Sequence, residues 1–285
     1  MRTPLYSVLA LEPLPRCSVS CATAINDKGQ VIGYSHNEKT DEAIACLWED
    51  GKVHDLGRIA VNSINNKGQI VGERFNASCH FCAILMENRR PRNLFQNNTP
   101  ISGAKGINDA GQVVGYAQTP LTKSDWPPVM KRGAFCWERG KRHYLEVPPG
   151  CWADKATAIN NAGEIVGNVC DAKGKYAVIW RDDSVTLLGE PDGFRTTEAI
   201  AVNDVGQILV RAARVEWAEL TEADRDLGHD LGQQSFLWQH GQWQAISGMG
   251  LAHSLNNHGQ LVGWIGMDPE TAPGANQRGD THAAF

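Results

Sequence analysis

The sequence predicts an all-β chain, a six-bladed β-propeller whose last blade is completed by the N-terminal strand. Three observations predict it. A ten-residue phrase, first read as Ala24-Ile25-Asn26-Asp27-Lys28-Gly29-Gln30-Val31-Ile32-Gly33, returns with its turn glycine at Gly68, Gly111, Gly163, Gly206 and Gly259. Each phrase opens a run of four short strand signals within about 40 residues, the pattern of one propeller blade. The sixth run stops inside its third strand, and the chain begins on a lone strand with no first three.

The first blade sets the pattern. Residues 21–25 are small or β-branched and read as a strand. Asn26-Asp27-Lys28-Gly29 is a hairpin turn, because Asn and Asp favour its first positions and Gly allows the positive φ that closes it. Residues 30–35 return as a second strand and 43–48 form a third. Glu49-Asp50-Gly51-Lys52 turns the chain into a fourth strand over 53–56, stopped by Gly57. The same reading places blades at about 17–57, 58–95, 101–147, 153–189, 196–247 and 250–285, the last completed by 5–12, all in one domain over 1–285. A lone sheet of this kind leaves both faces partly apolar and needs neighbours. The third-strand Trp48, Met86, Trp137, Trp180 and Trp238 are therefore expected to form the core between blades, and the recurring Asn to serve the turn. At the ends, Tyr6-Ser7-Val8-Leu9-Ala10-Leu11 is similar to Val53-His54-Asp55-Leu56 and Val185-Thr186-Leu187-Leu188, both fourth strands. Pairing it with the unfinished sixth blade removes an open sheet edge. One unit departs from the phrase: Val210, followed by Arg211, replaces the closing Gly, so that strand is expected to continue or bend differently.

These units resemble the bacterial HAF repeats, named for a His-Ala-Phe tract before an aliphatic and Trp. Gly133-Ala134-Phe135-Cys136-Trp137 and Thr281-His282-Ala283-Ala284-Phe285 carry the resemblance. It implies a propeller-like repeat protein and brings no catalytic signature.

Net charge is −5, which argues against nucleic acid or an anionic membrane as partner. No stretch approaches the roughly 18 apolar residues of a membrane helix. Glu12 and Pro13 interrupt the short apolar start where a secretory cleavage site belongs, so the expected compartment is the cytoplasm, with reduced thiols. Arg89-Arg90-Pro91-Arg92 reads as a solvated turn. Nucleophile elbow, P-loop, dinucleotide fingerprint and His-Glu-x-x-His are all missing, and no cofactor is expected.

The turn glycines are spaced by 39, 43, 52, 43 and 53 residues. The extra length falls between second and third strands, at 117–132, 211–234 and 266–281, and in the crossings near 96–103, 146–154 and 189–196. In an up-and-down blade both loop classes emerge on one face, so function is expected there, at one mouth of the channel. Asp154, Lys155, Glu198 and His253 are the catalytic candidates on that face. Asn62, Lys105, Trp152, Arg195, Arg211, Tyr34, Tyr116, Trp264 and Arg74 are the ligand-binding candidates. Charged and imidazole groups converging on a partly dry channel shift one another's pKa values, which suits binding of a polar ligand or acid–base chemistry.

Cysteine admits two further readings. Cys79 and Cys82, with Cys17 and Cys21 one blade away, would hold zinc if the four thiolates converged. Cys151 and Cys170 fall nearly opposite on paired strands, a disulfide geometry in an oxidising compartment. The leading expectation is a binding module for a small polar molecule or peptide segment at the long-loop mouth. A cofactor-independent lyase, isomerase or hydrolase at the same mouth is the second. An interaction platform built on Asp125-Trp126-Pro127-Pro128 is the third.

Overall fold

The recurring phrase folds as a hairpin followed by two more antiparallel strands. The computed structural model describes residues 10–75, 80–95, 101–120, 130–182, 184–214, 232–247, 251–264 and 283–284, and none of these is helical. Five four-stranded sheets form in chain order. They are β1 to β4 (Val19–Ile25, Val31–Asn37, Glu42–Glu49, Lys52–Gly57) and β5 to β8 (Ala60–Ile64, Ile70–Phe75, Phe81–Glu87, Arg90–Asn93), then β9 to β12 (Ser102–Ile107, Val113–Pro120, Met130–Glu138, Lys141–Tyr144). The fourth holds β13 to β16 (Trp152–Ile159, Ile165–Cys170, Lys175–Arg181, Ser184–Leu187) and the fifth β17 to β20 (Thr196–Val202, Ile208–Ala213, Gln234–Gln239, Gln242–Ala245). A last sheet has three strands, β21 to β23 (Ala252–Leu255, Leu261–Trp264, Ala283–Ala284). The chain divides into two compact units, Met1–Ala104 and Lys105–Phe285.

Each turn is closed by its own residues. In the fourth sheet the Gly163 amide donates to the Asn160 carbonyl (3.1 Å), and Gly163 has φ +84°. The Asn160 side chain accepts from the Glu164 amide (2.9 Å) and donates to the Glu164 carboxylate (2.6 Å). The same Asn also reaches beyond its turn. Asn26 donates to the Asn65 carbonyl (2.9 Å), Asn108 to Asn160 (3.1 Å), Asn160 to Asn203 (3.0 Å) and Asn203 to Asn256 (2.9 Å). The recurring Asn therefore does more than the turn requires: it ties its own turn to the following one. The next turn residue alternates along the chain, as Asp27, Asn66, Asp109, Asn161, Asp204 and Asn257. The Asp27 amide donates to the Asn66 side chain (2.9 Å), and the Asn66 amide group returns a bond to the Asp27 carboxylate (2.7 Å). Asn161 likewise donates to the Asp204 carboxylate (3.1 Å), as does Asn257 (2.9 Å). Alternation gives each carboxylate an amide partner and keeps like charges apart.

The core lies between sheets, as the third-strand residues predict. Trp48, Met86, Trp137, Trp180 and Trp238 are all buried. Ile32, Ala45 and Leu47 of the first sheet pack with Val61, Ile70 and Met86 of the second. Val114 and Ala134 of the third pack with Val178 and Trp180 of the fourth, and Val166 and Ile179 of the fourth with Val210 and Trp238 of the fifth. Two indoles are also anchored: Trp48 donates to the Glu12 carbonyl (2.7 Å) and Trp180 to the Glu146 carbonyl (2.6 Å).

A β-bulge interrupts the first strand of five sheets, at Thr23, Asn62, Thr157, Ile200 and His253, each three residues before the turn Asn. In the first, second and fourth sheets it comes with a close approach to the Gly that closes the phrase. Gly33, Gly72 and Gly167 lie so close to the bulged strand that a Cβ would fall on the carbonyl oxygens of Cys21, Ala60 and Lys155. The expected deviation at Val210 is small. Val210 is buried in an uninterrupted β18, and the bulge persists between Ala199 and Ala201.

Other expectations shift. The 117–132 segment is not loop from its start: β10 and β11 continue pairing out to Pro120 and Met130, because alternating backbone partners remain available there. The tight turn near the basic run is Asn88-Arg89, both at positive φ, and Arg90-Pro91-Arg92 belongs to β8, an outer strand that tolerates proline. Cys170 pairs with Trp152, so Cys151 lies one place beyond it; both thiols are free. The closing strand over 5–12 falls mostly outside the described residues, as do Trp126 and Cys79.

Candidate functional site

Within the second unit, the first strands β13 and β17 carry charged residues at one end, before the bulge, and β21 carries His253 at the bulge itself. β13 has a second bulge, between Ala153 and Lys155, that β17 and β21 lack. Bulges re-aim side chains. Here the extra residue is Asp154, whose carboxylate meets Lys175 Nζ at 3.4 Å. Lys155 Nζ lies 3.0 Å from Glu198 Oε1, and Lys175 Nζ lies 3.8 Å from the same oxygen. Asn168 is fully buried; its amide group donates to Glu198 (3.4 Å), and its carbonyl oxygen accepts from the Ala199 amide (2.9 Å). Arg211 on β18 stands directly across from Glu198.

The electrostatics follow from this convergence. Burial alone would raise the Glu198 pKa. The ammonium groups of Lys175 and Lys155, and the Arg211 guanidinium, outweigh it and hold the carboxyl below its ordinary value. Burial also works against the Lys175 charge, but Glu198 and Asp154 reverse the effect and its pKa is raised. The opposite happens at His253. Partial burial, helped by Arg211, lowers its pKa, so the imidazole is neutral at pH 7. A neutral ring offers one donor and one acceptor nitrogen.

The structure thus brings together Asp154, Lys155, Glu198 and Arg211, with His253 electrostatically coupled through Arg211. Lys175 belongs to the same network, and the sequence reading does not single it out. Its signal is its place at the start of the third strand, at the long-loop end, where that reading follows only first and second strands. Trp152 begins β13 and is 44% exposed. The Arg195 amide donates to the Ala213 carbonyl (2.9 Å) beside it. Lys105 Nζ sits 5.8 Å from the centre of the Tyr116 ring, a separate cation–π pair. The side chain of Trp264 lies outside the described residues.

The remaining candidates belong to the first unit. Asn62 is the bulge residue of β5, and its amide donates to the Ala104 carbonyl (2.8 Å). Tyr34 accepts from the Val61 amide through its hydroxyl (2.9 Å). Arg74 donates to Asn93 (2.8 Å). Tyr34 and Arg74 also line an open cavity of about 610 Å³ with Arg58, Glu42, Phe75 and Phe81. Arg58 pairs with Glu42 there, and the two phenyl rings meet at a tilt of 36° with centroids 4.1 Å apart. For the thiolate reading, no group of three or more His, Cys, Asp or Glu among the described residues is placed to hold a metal. No helix among them is long and apolar enough to cross a membrane.

No family model and no curated protein matches the chain. Solved structures do. An acylaminoacyl peptidase from Pyrococcus horikoshii shares the fold with a TM-score of 0.53 and 12% identity, over 88% of this chain and 44% of its own. A puromycin-hydrolyzing peptidase from Mycobacterium tuberculosis does so with a TM-score of 0.52 and 12% identity, over 90% of this chain and 46% of its own. The chain spans less than half the length of either peptidase. The beta-propeller domain of the Trilobed protease from Pyrococcus furiosus matches with a TM-score of 0.44 and 10% identity, over 84% of this chain and 87% of its own. The four-stranded antiparallel sheets define an all-β protein whose structural neighbours include propellers, and at these identities the likenesses bear on the fold alone.

Proposed function

We propose that the chain is a six-bladed β-propeller binding module that takes a small polar molecule or peptide segment at one mouth of its channel. The observation that carries the reading is the convergence of Asp154, Lys155, Lys175, Glu198 and Arg211 from two neighbouring sheets. Ion pairs between sheets cost desolvation and add little net stability, so a fold held by apolar cores does not require them. The second reading, a cofactor-independent enzyme, draws on the neutral His253 beside a guanidinium, a suitable general base. A thermal-shift screen of the purified protein against neutral, cationic and anionic metabolites tests the site. Expected is a ligand that raises the melting temperature of the wild type and not of His253→Ala, an exposed position whose truncation leaves the cores intact. A ligand whose shift survives that substitution and Arg211→Gln binds elsewhere and sinks the reading. Turnover of a hit would favour the enzyme.

Closure of the ring by the N-terminal strand belongs to the same proposal. Glu146, which accepts from Trp180, directly follows Leu145 at the end of the preceding sheet. Glu12, which accepts from Trp48, follows Leu11 in the same way. Residues before Leu11 thus occupy the sequence place of a fourth strand. The alternating turn residues support six units, because an Asp–Asn alternation closes without like neighbours only in an even ring. Removing residues 1–14 is expected to lower the melting temperature severely; a truncated chain that melts with the full one defeats the closure.

A further inference from the structure

Arg211 stands at a place that the repeat uses for a structural purpose elsewhere. Eight residues after the turn Asn, the second strand carries Tyr34 in the first sheet and Asn168 in the fourth. Each accepts a hydrogen bond from the next first strand, four residues before its turn Asn: Val61 to the Tyr34 hydroxyl (2.9 Å) and Ala199 to the Asn168 side chain (2.9 Å). Arg211 occupies this place in the fifth sheet. A guanidinium has five donors and no acceptor, so it cannot perform that role. The amide concerned, Ala252, donates instead to the Ser235 hydroxyl (2.9 Å). Arg211 is left with a buried Nε that has no partner among the described residues. Buried donors in that condition call for an explanation, an absent ligand among them.

The charges around it point the same way. Lys155 is paired with Glu198 and Lys175 with Asp154. His253 is neutral. The cluster therefore carries one positive charge in excess, and Arg211 is its cation without an ion pair among the described residues. We infer that this site binds a small carboxylate, gripped by the Arg211 guanidinium beside His253. The inference rests on the binding reading above and narrows it to an anion. A planar guanidinium matches a carboxylate with two parallel hydrogen bonds, whereas a lysine would act only as a point charge. A phosphate monoester fits less well. It carries about −1.5 to −2 at pH 7, more than one guanidinium neutralises, and would face the carboxylates of Glu198 and Asp154.

Calorimetric titration with defined probes tests this. The panel pairs acetate, glycolate and gluconate with their amides, and a free tripeptide with its C-terminal amide; glucose and a primary amine serve as uncharged and cationic probes. Expected is binding of at least one carboxylate, weakened about ten- to a hundredfold in its amide and in Arg211→Gln, with Arg211→Lys in between. Preference for gluconate or for the free tripeptide identifies a free acid or a peptide terminus as the source of the carboxylate, and either supports the inference. Both variants are first shown to melt cooperatively. If Arg211→Gln does not fold, Arg211→Lys and the acid–amide comparison decide. Binding of glucose or the amine, lost in His253→Ala and with no carboxylate bound, overturns the anion and leaves the binding site standing. Binding of no probe overturns both.

Discussion

Replacing Gly167 with alanine is expected to destabilise the protein by about 3 kcal/mol or more, the upper range for adding a methyl group against packed atoms. The reason is local and rigid. The bulge in β13 presses its backbone onto β14, so the new Cβ would fall on the Lys155 carbonyl oxygen. It would also lie 2.7 Å from Ala156 Cα and 2.9 Å from Trp180 Cζ3. Two of these neighbours are backbone, and the third is a buried indole in the core shared by two sheets. None yields as the end of a flexible side chain would. Chemical denaturation of Gly167→Ala should show the loss as a lower midpoint. Gly29→Ala serves as comparison: its Cβ would meet nothing within 4 Å, and only its φ of +76° is strained, a cost of about 1–2 kcal/mol. Equal midpoints for the two variants would mean that β13 and β14 are not as close as described. The effect should also reach the site, because Lys155 is the residue displaced.

Asn160→Ala is the second large effect, expected to cost about 2–4 kcal/mol by removing three hydrogen bonds at once. Asn160 is only 3% exposed. Alanine would leave the Glu164 amide and the Asn203 carbonyl without their side-chain partner. Asn160→Asp separates the two roles. It keeps the acceptor for the Glu164 amide but sets a carboxylate against the Glu164 carboxylate and the Asn203 carbonyl, where an amide donates now. Thermal denaturation should therefore rank wild type above both. An aspartate variant as stable as the wild type would show that the bond to Asn203 contributes nothing.

The turns, sheet order and inter-sheet core can be read from the sequence because each rests on near neighbours or on simple alternation. Asn and Gly fix the hairpin, and the third-strand Trp or Met marks the buried face. The bulges cannot. An extra residue in one strand is defined only against its partner, and nothing in Ala156-Thr157-Ala158 announces it. The site inherits that gap. Asp154 is a candidate by its place in a loop-facing strand, but its aim depends on the second bulge of β13. Asn62 reads as a ligand contact, yet its amide is occupied by the Ala104 carbonyl. Lys175 escapes the sequence because it reaches Asp154 from the opposite side of the sheet's second strand. The convergence of Asp154, Lys155, Glu198 and Arg211 is legible because the turn Asn gives every first strand a common ruler.

The alternation of Asp and Asn at the second turn position bears on how such a chain grows. Duplicating a single unit would set two carboxylates, or two amides, side by side at the new joint. Duplicating an adjacent pair would reproduce every joint already present. Copy number should therefore change by twos more readily than by ones, and a unit moved to a new place in the order should settle only where the residue before it is of the other kind.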